Sequence, residues 1–189
     1  THSLYAIDEL ISIKYINKND IIVNGNSGDF ITGGHIPKNL NYSKKPSDKL
    51  KVLFNRIFEP HFIKHYSLWQ ALISEQNRNN VYNILYLQLK NSIKIKVKLT
   101  EYSILELLEY ENRQVKHVIN GQRIYDYYKL DWLLPLWNKS FIKFWQNVPL
   151  KYKLDQMLYK KVLYDLNYLD FAGSGIVHLV GGVAGLVGC

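Results

Sequence analysis

The stretch NGNSGDFITGGHIP, residues 24–37, follows a short apolar run and places four glycines around a single aspartate, Asp29. An apolar strand that runs into a glycine-rich turn presents backbone N–H groups at its carboxyl end, where α/β proteins hold phosphates. Because an aspartate there would repel bare phosphate, Asp29 makes sense as an oxygen ligand of a divalent cation such as Mg²⁺. The alternative is a tight turn in which Asp29 caps a following helix. The residues alone leave both interpretations open.

The composition is that of a folded protein. With 189 residues, 47% of them hydrophobic and 14% aromatic, the chain can form one domain with a core, or a domain with an appendage. Its single cysteine, Cys189, excludes an intrachain disulfide framework and fits a reducing compartment. The N-terminus has no signal-peptide pattern and no initiator methionine, so we expect a cytoplasmic protein whose sequence begins within a longer chain.

The net charge of +8 raises the question of nucleic-acid binding. In SIKIKVKL, residues 92–99, lysines alternate with apolar residues, which gives a strand one cationic and one apolar face. A phosphate-facing ribbon has this pattern, but so does an edge strand that lysines protect from aggregation. We favour the edge strand and expect no nucleic-acid partner, because no recognition motif accompanies the lysines. A non-catalytic basic binding module remains an alternative.

Helical spacing of apolar residues dominates the rest of the chain. One strand is predicted at 20–24, and Pro135 predicts a compact apolar turn over 131–138. The fold class is therefore mainly α with a small α/β part. The predicted helices are 3–16, 47–58 with Ser47 as N-cap, one or two within 62–89, 100–119 beginning at Thr100, 139–147 and 156–167.

Two histidines, His61 and His65, lie four residues apart, so a helix would place them on one face. This spacing suits a metal ion such as zinc. The sequence shows no third ligand for such an ion, and we therefore interpret the pair as structural.

The glycine loop, residues 24–34, resembles the second signature loop of the asparagine synthetase family, whose ATP-pyrophosphatase domain adenylates a carboxylate for amidation. The family pattern runs Ser-Gly-acid-Gly-small-Asp-Glu-x-x-Gly-Gly. The residues that fall on it, in order, are Asn24, Gly25, Asn26, Ser27, Gly28, Asp29, Phe30, Gly33 and Gly34. Asn26 and Phe30 replace acids, which indicates a divergent subgroup. The resemblance implies that residues 25–29 (Gly25, Asn26, Ser27, Gly28 and Asp29) bind ATP and that Asp29 also binds Mg²⁺.

Two later segments extend this resemblance. Residues 111–138 are similar to a family segment that ends in a proline-containing turn, with Pro135, Leu136 and Trp137 in place. Residues 148–166 resemble a segment that carries the lysine in contact with the nucleotide phosphates, and Lys160 takes its position. The resemblance thus implies a catalytic role for Lys160, which would neutralise charge developing at the α-phosphate. The alternative for Lys160 is a solvated helix face.

The resemblance implies that residues 1–167 are the C-terminal portion of an adenine-nucleotide α-hydrolase-like domain. Its cofactors would be ATP and Mg²⁺, and its substrate a small-molecule or sugar carboxylate, as in surface-glycan biosynthesis. The family's first motif, Ser-Gly-Gly-x-Asp-Ser, is absent from these 189 residues. We therefore expect the chain to lack the N-terminal half of the synthetase and to be inactive by itself.

The last 22 residues differ from everything before them. YLDFAGSGIVHLVGGVAGLVGC, residues 168–189, contains six glycines among apolar residues and is just long enough to span a bilayer as a helix. It resembles one pore helix of ammonium transporters, in which Asp170 and His178 would match polar pore residues. One such helix conducts nothing, so we expect a chimeric or truncated reading frame, in which a synthetase-like portion runs into a transporter-like, membrane-seeking segment. An ammonium transporter-related membrane fragment is the alternative for the whole chain.

Overall fold

The computed structural model describes residues 2–38, 40, 42, 46–66, 74–93 and 98–166. These residues are mainly helical, which confirms the predicted fold class in its coarse form. The predicted apolar helix at 168–189 and residues 94–97 of the lysine-rich stretch lie outside them. The described elements are α1 (His2–Ser12), β1 (Ile21–Val23), α2 (Gly28–Thr32), α3 (Leu50–Tyr66), α4 (Glu75–Ser92), α5 (Glu101–Leu108), a π-helix (Glu109–Ile119), α6 (Ile124–Tyr127), β2 (Asp131–Leu133), a 3₁₀ turn (Pro135–Trp137), α7 (Lys139–Asn147), α8 (Leu150–Lys153), a turn (Leu154–Gln156) and α9 (Met157–Asp165).

The chain forms two compact units. Unit 1 combines residues from 1–34 with residues from 114–189, and unit 2 consists of residues 35–113. Unit 2 is thus continuous in sequence and lies between the two parts of unit 1. No shift in composition within the sequence indicates this division.

Unit 1 contains the sheet. Strands β1 and β2 pair in parallel, with Ile21 opposite Asp131 and Val23 opposite Leu133. The prediction of β1 is confirmed, whereas the interpretation of 131–138 as a turn throughout is wrong, because its first three residues form β2. A strand of three residues is too short to show the alternation of apolar and polar residues. The prediction of a turn over 131–138 therefore depends on Pro135 alone. The apolar core of unit 1 is formed by Phe30, Ile31, Trp145 and Val148, with Trp137, Phe141, Ile142, Leu158 and Tyr159 packed against them.

Unit 2 is built on α3, α4 and α5. Its core residues are Leu53, Phe54, Ile57, Phe58, Phe62, Leu85, Leu89, Ile104, Leu105 and Leu108. Helix α3 does not end near Phe58 as predicted but continues through Pro60 to Tyr66. Although proline removes a backbone donor and disfavours a helix interior, the buried face of α3 extends past it to Phe62. Burial of that face outweighs the local effect of Pro60.

The start of α5 agrees with the sequence. Thr100 is its N-cap, and Thr100 and Ser103 form a capping box in which each side chain bonds the other residue's backbone N–H. The predicted helix 100–119 is continuous, but it changes from α to π geometry at Glu109. Stretches of π-helix are rare and are found frequently at functional sites.

Candidate functional site

The glycine loop begins where the sheet of unit 1 ends. The backbone N–H of Asn24 donates to the carbonyl of Leu133 at 3.0 Å, one residue beyond the paired strands. Because β1 and β2 are parallel, the glycine loop and the turn Pro135–Trp137 both leave the carboxyl ends of their strands. This is the end of a parallel sheet where α/β proteins bind ligands.

Buried glutamines hold the first half of the loop. The Asn24 amide donates to Gln122 Oε1 at 3.0 Å, and its own Oδ1 accepts from the Asn26 backbone N–H at 3.0 Å. Ser27 Oγ donates to Gln114 Oε1 at 2.8 Å. Ser27 is buried and has a left-handed backbone with φ of 70°. Since few residues other than glycine adopt this conformation, the bond to Gln114 helps to keep the turn in place.

Two glycines of the loop are closely packed, and the contact at Gly33 is with backbone. A Cβ on Gly28 would lie 2.4 Å from Leu136 Cδ1, and a Cβ on Gly33 would lie 2.4 Å from the carbonyl oxygen of Lys153. Gly33 also has φ of 105°, which strains any other residue. The glycine loop therefore packs tightly on the turn after β2 and on the end of α8.

Asp29 lies in the first turn of α2 and is exposed. The alternative in which Asp29 caps a helix is wrong, because the N-cap of α2 is Ser27, whose side chain makes no capping bond. The Asp29 backbone carbonyl accepts from Gly34 N–H at 2.7 Å and closes the loop. Within the described residues, its carboxylate makes no hydrogen bond or ion pair and is available to a cation. Of the other predicted site residues, Gly25 and Gly28 are buried, and Asn26 is half-buried.

Lys160 lies on α9 and donates to Asp155 Oδ1 at 2.9 Å. Both side chains are about half exposed, at 47% and 54%. In the part of the chain that the structure describes, no hydrogen bond joins Lys160 to the glycine loop. The structure brings the loop into contact with residues just before α9 instead, because Gln156 Nε2 donates to Thr32 Oγ1 at 2.7 Å.

The sequence reasoning missed the polar residues that support the loop: Gln114, Gln122, Gln156 and Thr32. Thr32 is fully buried, and Gln114 and Gln122 are nearly so. Glutamine has no preferred spacing relative to a glycine loop, so no local signal could have identified the three glutamines. Thr32 lies within residues 24–37, but at a position where the pattern of the asparagine synthetase family allows any residue.

Comparisons with known proteins support the C-terminal part of the sequence analysis. The profile of the Ammonium Transporter Family matches residues 141–189, about a quarter of the chain. No curated protein and no solved structure matches the chain. The resemblance of the last 22 residues to ammonium transporters is thus supported, whereas the resemblance to asparagine synthetases has no counterpart in these comparisons. None of the described helices is both long and apolar enough to cross a bilayer.

Proposed function

We propose that the glycine loop binds the pyrophosphate part of a nucleotide together with Mg²⁺, as its resemblance to asparagine synthetases implies. The observation that carries the proposal is the meeting of three segments that lie far apart in the sequence. The loop packs on the turn after β2 through Gly28 and Leu136, and on the end of α8 through Gly33 and Lys153. The resemblance to asparagine synthetases rests on the sequences of these three segments. The contacts between the segments are a separate observation.

The charged groups of this site suit phosphate chemistry. The exposed Asp29 carboxylate offers Mg²⁺ an oxygen ligand, and phosphate oxygens and water complete the shell that this ion prefers. When bound, Mg²⁺ would neutralise charge on the pyrophosphate group. The ion pair between Lys160 and Asp155 is exposed, and such pairs contribute only about 0–1 kcal/mol. Lys160 can therefore exchange Asp155 for a phosphate oxygen at little cost in free energy.

In the proposed reaction class, a carboxylate attacks the α-phosphate of ATP and pyrophosphate leaves. Ammonia then attacks the acyl carbon, AMP leaves, and an amide forms. Lys160 would stabilise the negative charge that develops as the bond to pyrophosphate breaks. The acceptor would be a small-molecule or sugar carboxylate.

Binding of pyrophosphate to the 189-residue chain tests the proposal. We expect isothermal titration calorimetry to detect pyrophosphate binding that requires Mg²⁺. Asp29→Asn should abolish this Mg²⁺-dependent binding, because an amide is a much weaker Mg²⁺ ligand than a carboxylate. Lys160→Ala should weaken binding at least about tenfold, since it removes a charge-assisted contact.

Two residues of the same helix provide matched controls. Lys161 and Asp165 also form an exposed ion pair on α9, with a spacing of four residues. Lys161→Ala and Asp165→Asn should leave pyrophosphate binding unchanged. Binding that is absent in the unaltered chain, or that falls equally in all four variants, would show that the loop is only a packing element.

A second proposal concerns the C-terminal end, and it is the one that the family match supports. Residues 168–189 would be a membrane-seeking segment of ammonium-transporter type, with residues 141–189 related to that family. Flotation of the whole chain with lipid vesicles, compared with a chain ending at residue 167, tests this. We expect only the longer chain to float, and equal flotation of the two chains would contradict the proposal.

A further inference from the structure

Three side chains of unit 2 converge on one point. The ligand atoms of His61, His65 and Glu109 all lie within 4.8 Å of one another. His61 and His65 share a face of α3, with ring centroids 4.6 Å apart, and Glu109 is the first residue of the π-helix. His65 Nε2 lies 2.5 Å from Glu109 Oε1. Glu109 is thus a candidate for the third ligand that the sequence did not reveal.

Two atoms of this cluster are buried and have no partner. His61 is 4% exposed and Glu109 is 2% exposed. The Nδ1 atom of His61 and the Oε2 atom of Glu109 make no hydrogen bond in the described structure. Each such buried group costs about 1–3 kcal/mol. A cation bound by these two atoms would satisfy both, because an imidazole lone pair and a carboxylate oxygen both bind positive charge.

Both groups have the protonation state that a metal requires. Burial, with the nearby His65 and Lys64, lowers the pKa of His61 to about 4, so its imidazole is neutral at pH 7. Burial alone would raise the pKa of Glu109, but hydrogen bonds from His65 and Lys64 outweigh it and hold the pKa at about 2. A metal would therefore displace no proton from either group at neutral pH.

Lys64 competes with a cation at this point. Its Nζ donates to Glu109 Oε1 at 2.7 Å and to the backbone carbonyl of His35 at 3.1 Å. Its charge repels a metal ion. Lys64 nevertheless occupies only Oε1, and its side chain is 38% exposed, so it can move toward solvent.

We propose that His61, His65 and Glu109 bind a divalent transition-metal ion of the zinc type. Two imidazole nitrogens and one carboxylate oxygen form a known three-residue zinc ligand set, which leaves a fourth position for water. Mg²⁺ and Ca²⁺ are disfavoured, because they prefer oxygen ligands alone. Ligands in a tetrahedral zinc site are about 3.4 Å apart, given bonds of about 2.1 Å, so side-chain rotations close the site around the ion.

Titration of the untagged 189-residue chain with Zn²⁺ at pH 7 tests the proposal. We expect one ion per chain by isothermal titration calorimetry, and visible absorption of a low-coordinate site when Co²⁺ replaces Zn²⁺. His65→Ala and Glu109→Gln should each weaken binding by more than about tenfold. Loss of a residue that only supports a ligand already weakens metal binding by about that factor, and these residues would be ligands themselves. The exposed His117 provides the control, since His117→Ala should bind as the unaltered chain does.

A variant of Lys64 separates a metal site from a structural ion-pair network. Lys64→Met removes the competing charge and should strengthen Zn²⁺ binding, although it also removes an ion pair from the folded chain. Circular dichroism shows whether each variant is folded at the titration temperature. Absence of stoichiometric binding to the folded unaltered chain, equal loss in His117→Ala, or weaker binding in folded Lys64→Met would overturn the proposal.

Discussion

Gln156 donates a hydrogen bond to Thr32 across 124 positions of sequence, at 2.7 Å. Thr32 in turn donates to the Gly28 carbonyl at 2.7 Å, so one fully buried hydroxyl joins the start of α2 to the turn before α9. Gln156→Ala removes the donor and should lower the free energy of unfolding of unit 1 by about 1 kcal/mol. Urea unfolding followed by tryptophan fluorescence measures it, since three of the four tryptophans of the chain, Trp132, Trp137 and Trp145, lie in unit 1. The exposed Gln146 provides the control, and an equal loss in Gln146→Ala would contradict the assignment.

Two glycines of unit 1 should respond to alanine with opposite signs. Gly33→Ala places a methyl group on a residue with φ of 105° and against the Lys153 carbonyl, so we expect a loss of about 1–3 kcal/mol. Gly121 lies in a helical turn with nothing within 4 Å of a Cβ, so Gly121→Ala should stabilise by about 0.5–1 kcal/mol. The same urea experiment tests both, and a neutral Gly33→Ala would show that the loop relaxes easily.

The buried His61 should make unit 2 sensitive to acid. Its pKa falls from 6.5 to about 4 on folding. Between these pH values the unfolded chain binds a proton that the folded chain does not, so the free energy of unfolding decreases as the pH falls. Since a shift of one pKa unit corresponds to about 1.36 kcal/mol, the free energy of unfolding would decrease by about 3 kcal/mol in full.

Urea unfolding at pH 7, 6 and 5, followed by circular dichroism without added metal, measures this dependence. His61→Leu should flatten it, whereas His117→Ala should not. A dependence that is unchanged in His61→Leu would assign it to other groups.

The 189-residue chain should not turn over ATP, because it contains no Ser-Gly-Gly-x-Asp-Ser motif to form the second half of a pyrophosphate site. A pyrophosphate-release assay with Mg²⁺, aspartate and ammonia measures this. Turnover above that of the Asp29→Asn variant would show that the chain forms a complete site. Binding without turnover is the result that agrees with the function proposed above.

Removal of residues 168–189 should raise solubility and leave the melting temperature of the remainder unchanged. These residues are small and apolar and carry no polar face, whereas a helix docked on a soluble surface is amphipathic. Exposed to water, they would form an aggregation-prone patch. Light scattering and thermal unfolding of the two chains test this. A truncated chain that melts several degrees earlier would show that the segment contributes to the core.

Local signals predicted part of the fold correctly. The sequence predicts that a helix starts at Thr100, and Thr100 forms a capping box there. Helix α7 has the predicted bounds, 139–147, because Asn138 caps its start and Pro149 follows its end. The errors arise where long-range packing decides. Burial extends α3 through Pro60, and β2 exists only because β1 pairs with it.

The candidate sites divide in the same way. The glycine loop is a contiguous pattern, so its residues could be found in the sequence. Glu109 is 44 positions from His65, and nothing local distinguishes it from the chain's other acids. The sequence favours a structural interpretation of His61 and His65 for this reason, since a third ligand from another helix leaves no sequence spacing to recognise.

The interruption of unit 1 by unit 2 has a consequence for the order of folding. Residues 35–113 are complete before β2 has been synthesised, so unit 2 can begin to form on the ribosome. The glycine loop emerges early but must wait for residues 131–156, which contain its partner strand and turns. Contacts of such long sequence separation form slowly. A nascent chain that has released residue 113 from the ribosome but not residue 131 would therefore present a folded helical unit together with an unformed glycine loop.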